Sequence, residues 1–244
     1  MNYWYNQWEK QQNALIEMRE ERFNVMLKLI ENQGKANPNA LDLGCGPGSL
    51  SKRFLDKFPG GHVTAIDYDP VTLEIFRNTI NNDNITILSR DLRNVEWHTG
   101  IKEADYDVIF TTTALHWLPE KYLASVYQKS YRLLRDGGIL MNGDHFNSSE
   151  TDQKITGLYN KIKEDEHTTS SKSSAMNWDE WWNNLRKTGM MNELFDERGK
   201  RFNSGNHDQR VSLEKHITLL RDSGFQIIDI PWKYLNNMII MALK

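Results

Sequence analysis

The stretch Leu41-Asp42-Leu43-Gly44-Cys45-Gly46-Pro47-Gly48 decides the fold of this 244-residue chain. An apolar strand runs directly into three alternate glycines, and an amphipathic helix follows them. Gly44 and Gly46 have no Cβ and can adopt positive φ, so the backbone can turn sharply and lie directly against a ligand. The pattern predicts the first strand and helix of an α/β domain that binds a nucleotide-like molecule at this loop.

A carboxylate follows the glycines at the distance typical of a Rossmann-type fold. The next apolar run, residues 63–66, ends at Asp67, and an acidic residue about 20 positions beyond a glycine loop binds ribose hydroxyls in such folds. The glycine spacing is G-x-G-x-G with Pro47 inside it, whereas the dinucleotide fingerprint is G-x-G-x-x-G. A nicotinamide oxidoreductase remains an alternative interpretation of these residues.

The loop resembles the D-x-G-x-G-x-G motif of the class I S-adenosylmethionine (SAM)-dependent methyltransferases, and four residues of this chain match it one by one. The resemblance implies that the loop lies against the methionyl part of SAM and that the acidic residue after the second strand binds the ribose. The cofactor-binding residues it assigns here are Asp42, Gly44, Cys45, Gly46, Gly48, Asp67 and Tyr68.

Three further segments follow in the order of this family. Residues 85–88 predict a third strand, after which Asp91 and Leu92 stand where the family binds adenine. Residues 106–110 predict a fourth strand, and Thr111 and Thr112 at its end are assigned to the cofactor. A helix from Glu120 to Leu134 is expected to end at Gly137, because glycine after a last helical turn is a C-cap signal. Residues 138–141 predict the fifth strand.

The resemblance and the strand–helix alternation predict an α/β, Rossmann-like sheet of seven strands, mostly parallel, with an antiparallel last strand and helices on both faces. Two strands near the carboxyl terminus are separated by so few residues that they must pair antiparallel. The expected regions are an amino-terminal helical lid (1–35), the SAM-binding core (36–144), an inserted helical cap (145–210) and the completion of the sheet (211–244).

The lid is predicted from one helix over residues 9–32, with Leu15 and Met18 on its apolar stripe. In related methyltransferases such a helix folds over the cofactor, and Arg19 or Arg22 resembles the arginine that meets the SAM carboxylate. Tyr5 and Trp8 ahead of it, and Trp182 in the cap, are expected to contact the acceptor. The alternative is that the aromatic residues belong to a core and the arginines to a solvated face.

Composition limits the possible partners. The formal net charge is −3, so no long basic surface for nucleic acid is expected. The single cysteine excludes an internal disulfide and favours a reduced, cytoplasmic setting. No apolar run has the roughly 18 residues of a membrane span, and no signal-peptide core is evident. The oligomeric state is left open.

Methyl transfer from SAM needs an acceptor electron pair held in line, and a general base only where the acceptor arrives protonated. His116 follows the fourth strand, and Asp144 and His145 end the fifth, so these three are the catalytic candidates. For each of the two histidines the alternative is a hydrogen-bonded structural role. Trp117 joins the acceptor-binding set. The sequence shows no cluster of carboxylates of the kind that a divalent metal site needs, so no metal is expected.

Residues 113–119 resemble the same segment of the trans-aconitate methyltransferase family, although His116 and the tryptophan-rich cap depart from it, so the substrate does not carry over. The expected function is methyl transfer from SAM to an O, N or C atom of a small metabolite, with S-adenosylhomocysteine as product. An RNA or protein methyltransferase and a non-catalytic SAM-binding subunit are the alternatives. His167, His207 and His216 are expected at the surface.

Overall fold

The computed structural model describes residues 1–147, 153–169, 175–202 and 211–244, with the side chains of residues 153 and 166–169 outside that description. The described strands are β1 Asn39–Leu43, β2 His62–Asp67, β3 Ile85–Ser89, β4 Tyr106–Thr112, β5 Leu134–His145, β6 Ile227–Tyr234 and β7 Asn237–Leu243. The described helices are α1 Asn2–Leu15, α2 Arg19–Glu31, α3 Ser49–Lys57, α4 Pro70–Thr79, α5 Glu120–Leu133, α6 Gln153–Thr169, α7 Trp178–Lys187, α8 Asn192–Arg201 and α9 Leu213–Asp222.

The strands form one seven-stranded sheet in the order β3-β2-β1-β4-β5-β7-β6. Neighbours from β3 to β5 pair in parallel, whereas β7 is antiparallel to both β5 and β6. The closing β6–β7 hairpin turns at Leu235 and Asn236, which is why these two strands pair antiparallel. The predicted Rossmann-like class and its antiparallel closing strand are confirmed.

Alternation along each strand builds two apolar layers, one on each face of the sheet. In β4, Val108 and Phe110 pack in the layer that α2 and α3 cover. Ile109, between them, belongs to the other layer, beneath α5 and α9. All three side chains are fully buried. A sheet buried on both faces leaves its strand ends as the place where polar side chains and backbone can face a ligand.

A third apolar cluster joins the amino-terminal helix to the inserted segment. Trp4 and Tyr5 of α1 pack with Val71 and Ile75 of α4 and with the fully buried Trp181 of α7. The indole N–H of Trp181 donates to the backbone oxygen of Trp4 at 3.2 Å. The predicted lid and cap therefore share one core, and both are anchored to the helix that follows β2.

The prediction of one continuous helix over residues 9–32 is wrong. The chain leaves helical geometry between α1 and α2, and Met18 adopts a left-handed conformation with φ 53°. Leu15 and Met18, expected on the buried stripe, are 45% and 49% exposed. The break turns Ile16 and Glu17 inward instead, and both are buried.

The predicted helix Glu120 to Leu134 is one residue too long, and the C-cap role predicted for Gly137 is wrong. The helix ends at Leu133, and Leu134 is already extended and paired with Tyr106 in the sheet. Gly137 does have φ 76°, but its N–H donates to the carbonyl of Lys244 in a turn along β5. Burial of Leu134 in the sheet outweighs the local C-cap signal.

His216 is buried, not at the surface as predicted, and 3% of it is exposed. Asn142 donates to the Tyr127 oxygen at 3.1 Å, and the Tyr127 hydroxyl lies 2.7 Å from Nδ1 of His216. Burial lowers the pKa of His216 to about 4, so the ring is neutral at pH 7. His207 and the His167 side chain lie outside the described residues. Within the described residues no helix is long and apolar enough to cross a membrane.

Candidate cofactor and acceptor site

A cavity of about 750 Å³ lies at the carboxyl ends of the parallel strands, under α1, α7 and α8. Its position follows from topology, because parallel strands that alternate with helices leave a crevice at this edge where the strand order reverses. Here the reversal falls between β1 and β4. The glycine loop, the end of β2 and the loops after β3 and β4 all contribute to the lining.

The loop after β1 places bare backbone against the cavity. Gly44, Gly46 and Gly48 all have positive φ, between 53° and 88°. A Cβ on Gly44 would lie 2.4 Å from the Cβ of Ala114, so only glycine fits there. A Cβ on Gly46 would meet no protein atom within 4 Å, which means that it would project into the cavity. The loop is therefore shaped as a cradle that a side chain would fill.

Asp67 ends β2 beside this cradle. Its carboxylate accepts hydrogen bonds from the Gly46 N–H at 2.7 Å and from the Asp69 N–H at 2.8 Å. Burial raises the pKa of Asp67 to about 6, while these two N–H groups act in the opposite direction. An ionised carboxylate held this way at pH 7 is suited to accept hydrogen bonds from two vicinal hydroxyls.

Asp42 lies deeper, below the loop. It accepts a hydrogen bond from the Ser51 hydroxyl at 2.6 Å. Burial raises the pKa of Asp42 to about 7. Cys45 lines the same wall, and burial, with the nearby carboxylates, raises the pKa of its thiol, so it is neutral at pH 7 and unsuited to act as a nucleophile.

The adenine-binding candidates lie after β3. Both Asp91 and Leu92 line the cavity. Both oxygens of Asp91 accept from Nε of Arg93, at 2.9 and 3.0 Å, and the Arg93 guanidinium lies over the Tyr68 ring at 5.3 Å. The carboxylate is thus held at the cavity wall by a neighbour on its own loop.

His116 lies at the other end of the cavity, in a short 3-10 turn after β4. Its Nδ1 is 2.9 Å from one oxygen of Asp144 and 3.1 Å from the other. Asp144 is 2% exposed, and hydrogen bonds from His116 and from the His145 N–H hold its pKa below the usual range despite burial. An imidazole oriented by an ionised carboxylate is the arrangement expected of a general base.

Arg22, one of the two arginines considered for the SAM carboxylate, does not line the cavity. It is fully buried and donates from Nη1 to Asn237 at 2.7 Å, and its positive charge acts on Asp144. A Cβ on Gly143 would lie 3.1 Å from Nε of Arg22, so glycine lets the guanidinium pack against β5 just before Asp144. Arg22 therefore helps keep the partner of His116 ionised.

His145 forms a second histidine–carboxylate pair. Its Nε2 is 3.0 Å from Glu17, the residue turned inward at the α1–α2 break, and Lys163 of α6 lies 3.4 Å from the same carboxylate oxygen. These hydrogen bonds and charges lower the pKa of Glu17 to about 2. The end of β5, the break between α1 and α2, and helix α6 thus all meet at the Glu17 carboxylate.

Glu9 attaches α1 to the glycine-loop helix. It forms ion pairs with Arg19 at 3.0 Å and with Arg53 at 2.6 Å, and it accepts a hydrogen bond from Ser49. Arg19 lines the cavity, and its guanidinium also donates to Asn13 at 2.7 Å.

Aromatic side chains form the remaining wall. Trp8, Trp178 and Trp182 lie with ring centroids 5.4 to 6.4 Å apart, and Trp117 lies 4.8 Å from His116. Arg198 of α8 stacks over Trp182 at 3.9 Å and forms an ion pair with Asp69 at 2.6 Å. Such walls suit a ligand with a flat apolar body.

Most residues predicted for the site line this cavity. The exceptions are Tyr5 in the lid–cap core, Gly48 packed on Phe76, the buried Thr111, and Asp144 behind His116. Sequence reasoning missed Glu9, Glu17, Arg198 and Phe202. Glu9 and Arg198 are charged residues on helices, which carry no local signal of their partners. Glu17 lies at the unpredicted break between α1 and α2, and Phe202 directly follows α8. Among the described residues no cluster of three or more potential ligands is arranged to hold a metal ion.

Residues 40–138 match the family model described as a methyltransferase domain. The chain is 26% identical over 159 residues to malonyl-[acyl-carrier protein] O-methyltransferase of Acetivibrio thermocellus, covering 64% of this chain and 54% of the relative. It is 30% identical over 99 residues to trans-aconitate 2-methyltransferase of Escherichia coli O7:K1, and this match covers 41% of this chain and 36% of the relative. The chain thus spans about half the length, or less, of these curated relatives.

Solved structures agree on the fold. An O-methyltransferase family protein from Burkholderia thailandensis superposes with a TM-score of 0.58 at 14% identity, covering 98% of this chain and 68% of that one. A protein from Methanococcus maripaludis superposes with a TM-score of 0.57 at 19% identity, covering 99% of this chain and 91% of that one. The glycine cradle, the strand order and the match of residues 40–138 to a methyltransferase domain together support a class I, SAM-dependent methyltransferase.

Proposed function

We propose that the protein is an enzyme that transfers the methyl group of SAM to a small-molecule acceptor, with S-adenosylhomocysteine as the other product. The observation that carries the proposal is a single cavity with a nucleoside cradle at one end and an oriented histidine, His116, at the other. The relatives named as methyltransferases of malonyl-[acyl-carrier protein] and of trans-aconitate support the same reaction class.

The cradle fits SAM on three counts. Gly46 leaves space that a Cβ would fill, Asp67 presents an ionised carboxylate for the ribose hydroxyls, and Asp91 with Leu92 provides an acceptor and a backbone donor for adenine. Arg19 is assigned to the methionyl carboxylate, through a charge-assisted contact. Thr112, which lines the cavity at the end of β4, completes the cofactor-binding set.

When bound, SAM supplies a methyl group on a sulfonium, whose leaving group is a neutral thioether. The protein's part is to hold the acceptor in line with that methyl, and positioning of this kind contributes roughly 7 to 11 kcal/mol. His116 removes a proton from the acceptor where there is one, which adds about 10²- to 10⁴-fold. Trp8, Trp117 and Trp182 enclose the acceptor and exclude water. His145 lines the same end and is assigned to contact with the acceptor.

Enclosure by the lid and cap favours a small acceptor over the alternatives of an RNA or a folded protein. The lid and cap share a core, and residues of both line the cavity. Among the described residues, four arginines and four aspartates line the cavity, so this lining offers no excess positive charge for a phosphate backbone.

The test is to incubate the protein with SAM and fractionated metabolite extract, and to search by mass spectrometry for compounds that gain one CH₂. Appearance of such a product together with S-adenosylhomocysteine is expected. SAM binding without any turnover would favour the non-catalytic alternative, and tight NAD binding without SAM binding would favour the oxidoreductase.

A further inference from the structure

The charges that line the cavity limit what it can bind. Of the four arginines in the lining, Arg19, Arg93 and Arg198 are each paired with a carboxylate at 3.0 Å or less. The fourth, Arg90, donates to the carbonyls of Trp97 and Thr99 at 2.6 and 2.7 Å. Each arginine described in this lining thus already has a partner within the protein, and Arg19 is in addition assigned to the methionyl carboxylate, so none of them is assigned to an acidic acceptor.

The His116–Asp144 pair indicates whether the acceptor is protonated when it binds. A carboxylic acid has a pKa near 4 and is ionised at pH 7, so a base adds nothing to its methylation. A phenolic hydroxyl has a pKa near 10, which leaves only about one molecule in a thousand ionised. Asp144 accepts from Nδ1 of His116, which fixes the tautomer in which Nε2 can take up a proton.

The aromatic walls indicate the shape of the acceptor. Trp117 is 42% exposed and Trp178 is 40% exposed, and both line the cavity. Exposure of two indoles at a cavity wall is costly for the free protein and is relieved when a flat apolar ligand stacks on them. Trp8 also lines the cavity, and its ring centroid lies 5.4 Å from that of Trp178.

We propose, resting on the proposed function, that the acceptor is a hydroxylated aromatic compound rather than a carboxylate like those in the names of the relatives. His116 takes the hydroxyl proton on Nε2 and becomes an imidazolium stabilised by Asp144. The oxygen's electron pair forms the new O–CH₃ bond. The bond between that carbon and sulfur breaks, and its electron pair stays on sulfur as a neutral thioether. Atoms and charge balance, because one positive charge, on the sulfonium, is present before the step and one, on the imidazolium, is present after it.

The experiment compares matched acceptors with methyl-labelled SAM. Hydroxyarenes such as 2-naphthol are paired with carboxylates of the same ring, such as 2-naphthoate. Trans-aconitate and a malonyl thioester are tested as two further acidic acceptors. We expect label in the hydroxyarenes and no label above background in any of the acidic acceptors. Comparable transfer to an acidic acceptor, or no transfer to any hydroxyarene while SAM binds, would overturn the proposal.

A second arm isolates the role of His116. His116→Asn should slow the methylation of 2-naphthol by about 10²- to 10⁴-fold and leave SAM affinity unchanged. A nitrophenol that is already ionised at the assay pH should lose far less, whereas an equal loss for both phenols would contradict the base role. His62→Asn, at the far end of β2, is the matched control. Failure to bind SAM at all would instead refute the proposed function.

Discussion

Replacement of Asp67 by asparagine tests the cradle most directly. The change keeps the size of the side chain and removes its negative charge at the point where Gly46 and Asp69 donate their N–H groups. If two ribose hydroxyls bind this carboxylate, each charge-assisted hydrogen bond contributes about 1.5 to 3 kcal/mol. The amide oxygen of asparagine retains part of one of them.

The expected loss is therefore about 2 to 4 kcal/mol of binding free energy, which corresponds to roughly 30- to 1,000-fold in Kd. Because burial raises the pKa of Asp67 to about 6, the carboxylate is ionised at pH 7.5 and gains a proton as the pH falls through 6. SAM affinity of the wild type should then weaken below pH 6 by up to about tenfold per unit, while the Asp67→Asn variant stays weak and changes less with pH.

Isothermal titration calorimetry with SAM at pH 7.5 and pH 5.5 measures both effects. Asp83→Asn, in an exposed turn before β3, is the charge-matched control and should bind SAM as the wild type does. Circular dichroism of each variant checks that the fold is retained. A Kd for Asp67→Asn within threefold of the wild type would refute the assignment of the ribose to this carboxylate.

Three further changes address the loop, the lid and the cap. Trp181→Ala removes a fully buried indole from the lid–cap core and should lower the free energy of unfolding by about 3 to 5 kcal/mol, measured by urea denaturation. Gly44→Ala places a Cβ 2.4 Å from that of Ala114 at φ 73° and should cost about 1 to 3 kcal/mol in stability and weaken SAM binding, whereas wild-type values would contradict the cradle geometry. Glu9→Gln weakens the ion pairs to Arg53 and should speed hydrogen exchange in α1; unchanged exchange would show that apolar packing alone holds the lid.

The agreement between sequence and structure is closest where the signal is local. The alternate glycines, the carboxylate that ends β2 and the runs of apolar residues each follow from backbone sterics or from strand periodicity within a few positions. For that reason the seven-stranded sheet and the closing hairpin were predictable, and so was the position of His116 at the end of β4.

The predictions that are wrong concern residues whose local preference conflicts with burial elsewhere. The helical pattern over residues 9–32 continues through Met18, yet the chain breaks there because turning Glu17 inward gives it His145 and Lys163 as partners. The sequence around His216 does not indicate that this residue contacts Tyr127, which lies 89 positions earlier in the chain.

The amino-acid sequence by itself determined the sheet, the glycine cradle and the family, because these depend on spacing along the chain. Only the tertiary structure decided that His116 is oriented by Asp144, that Arg22 lies behind this pair and not in the cavity, and that the lid and cap share a core. The physical reason is that hydrogen bonds, ion pairs and burial join side chains far apart in sequence, and no local pattern records which partner each of them meets.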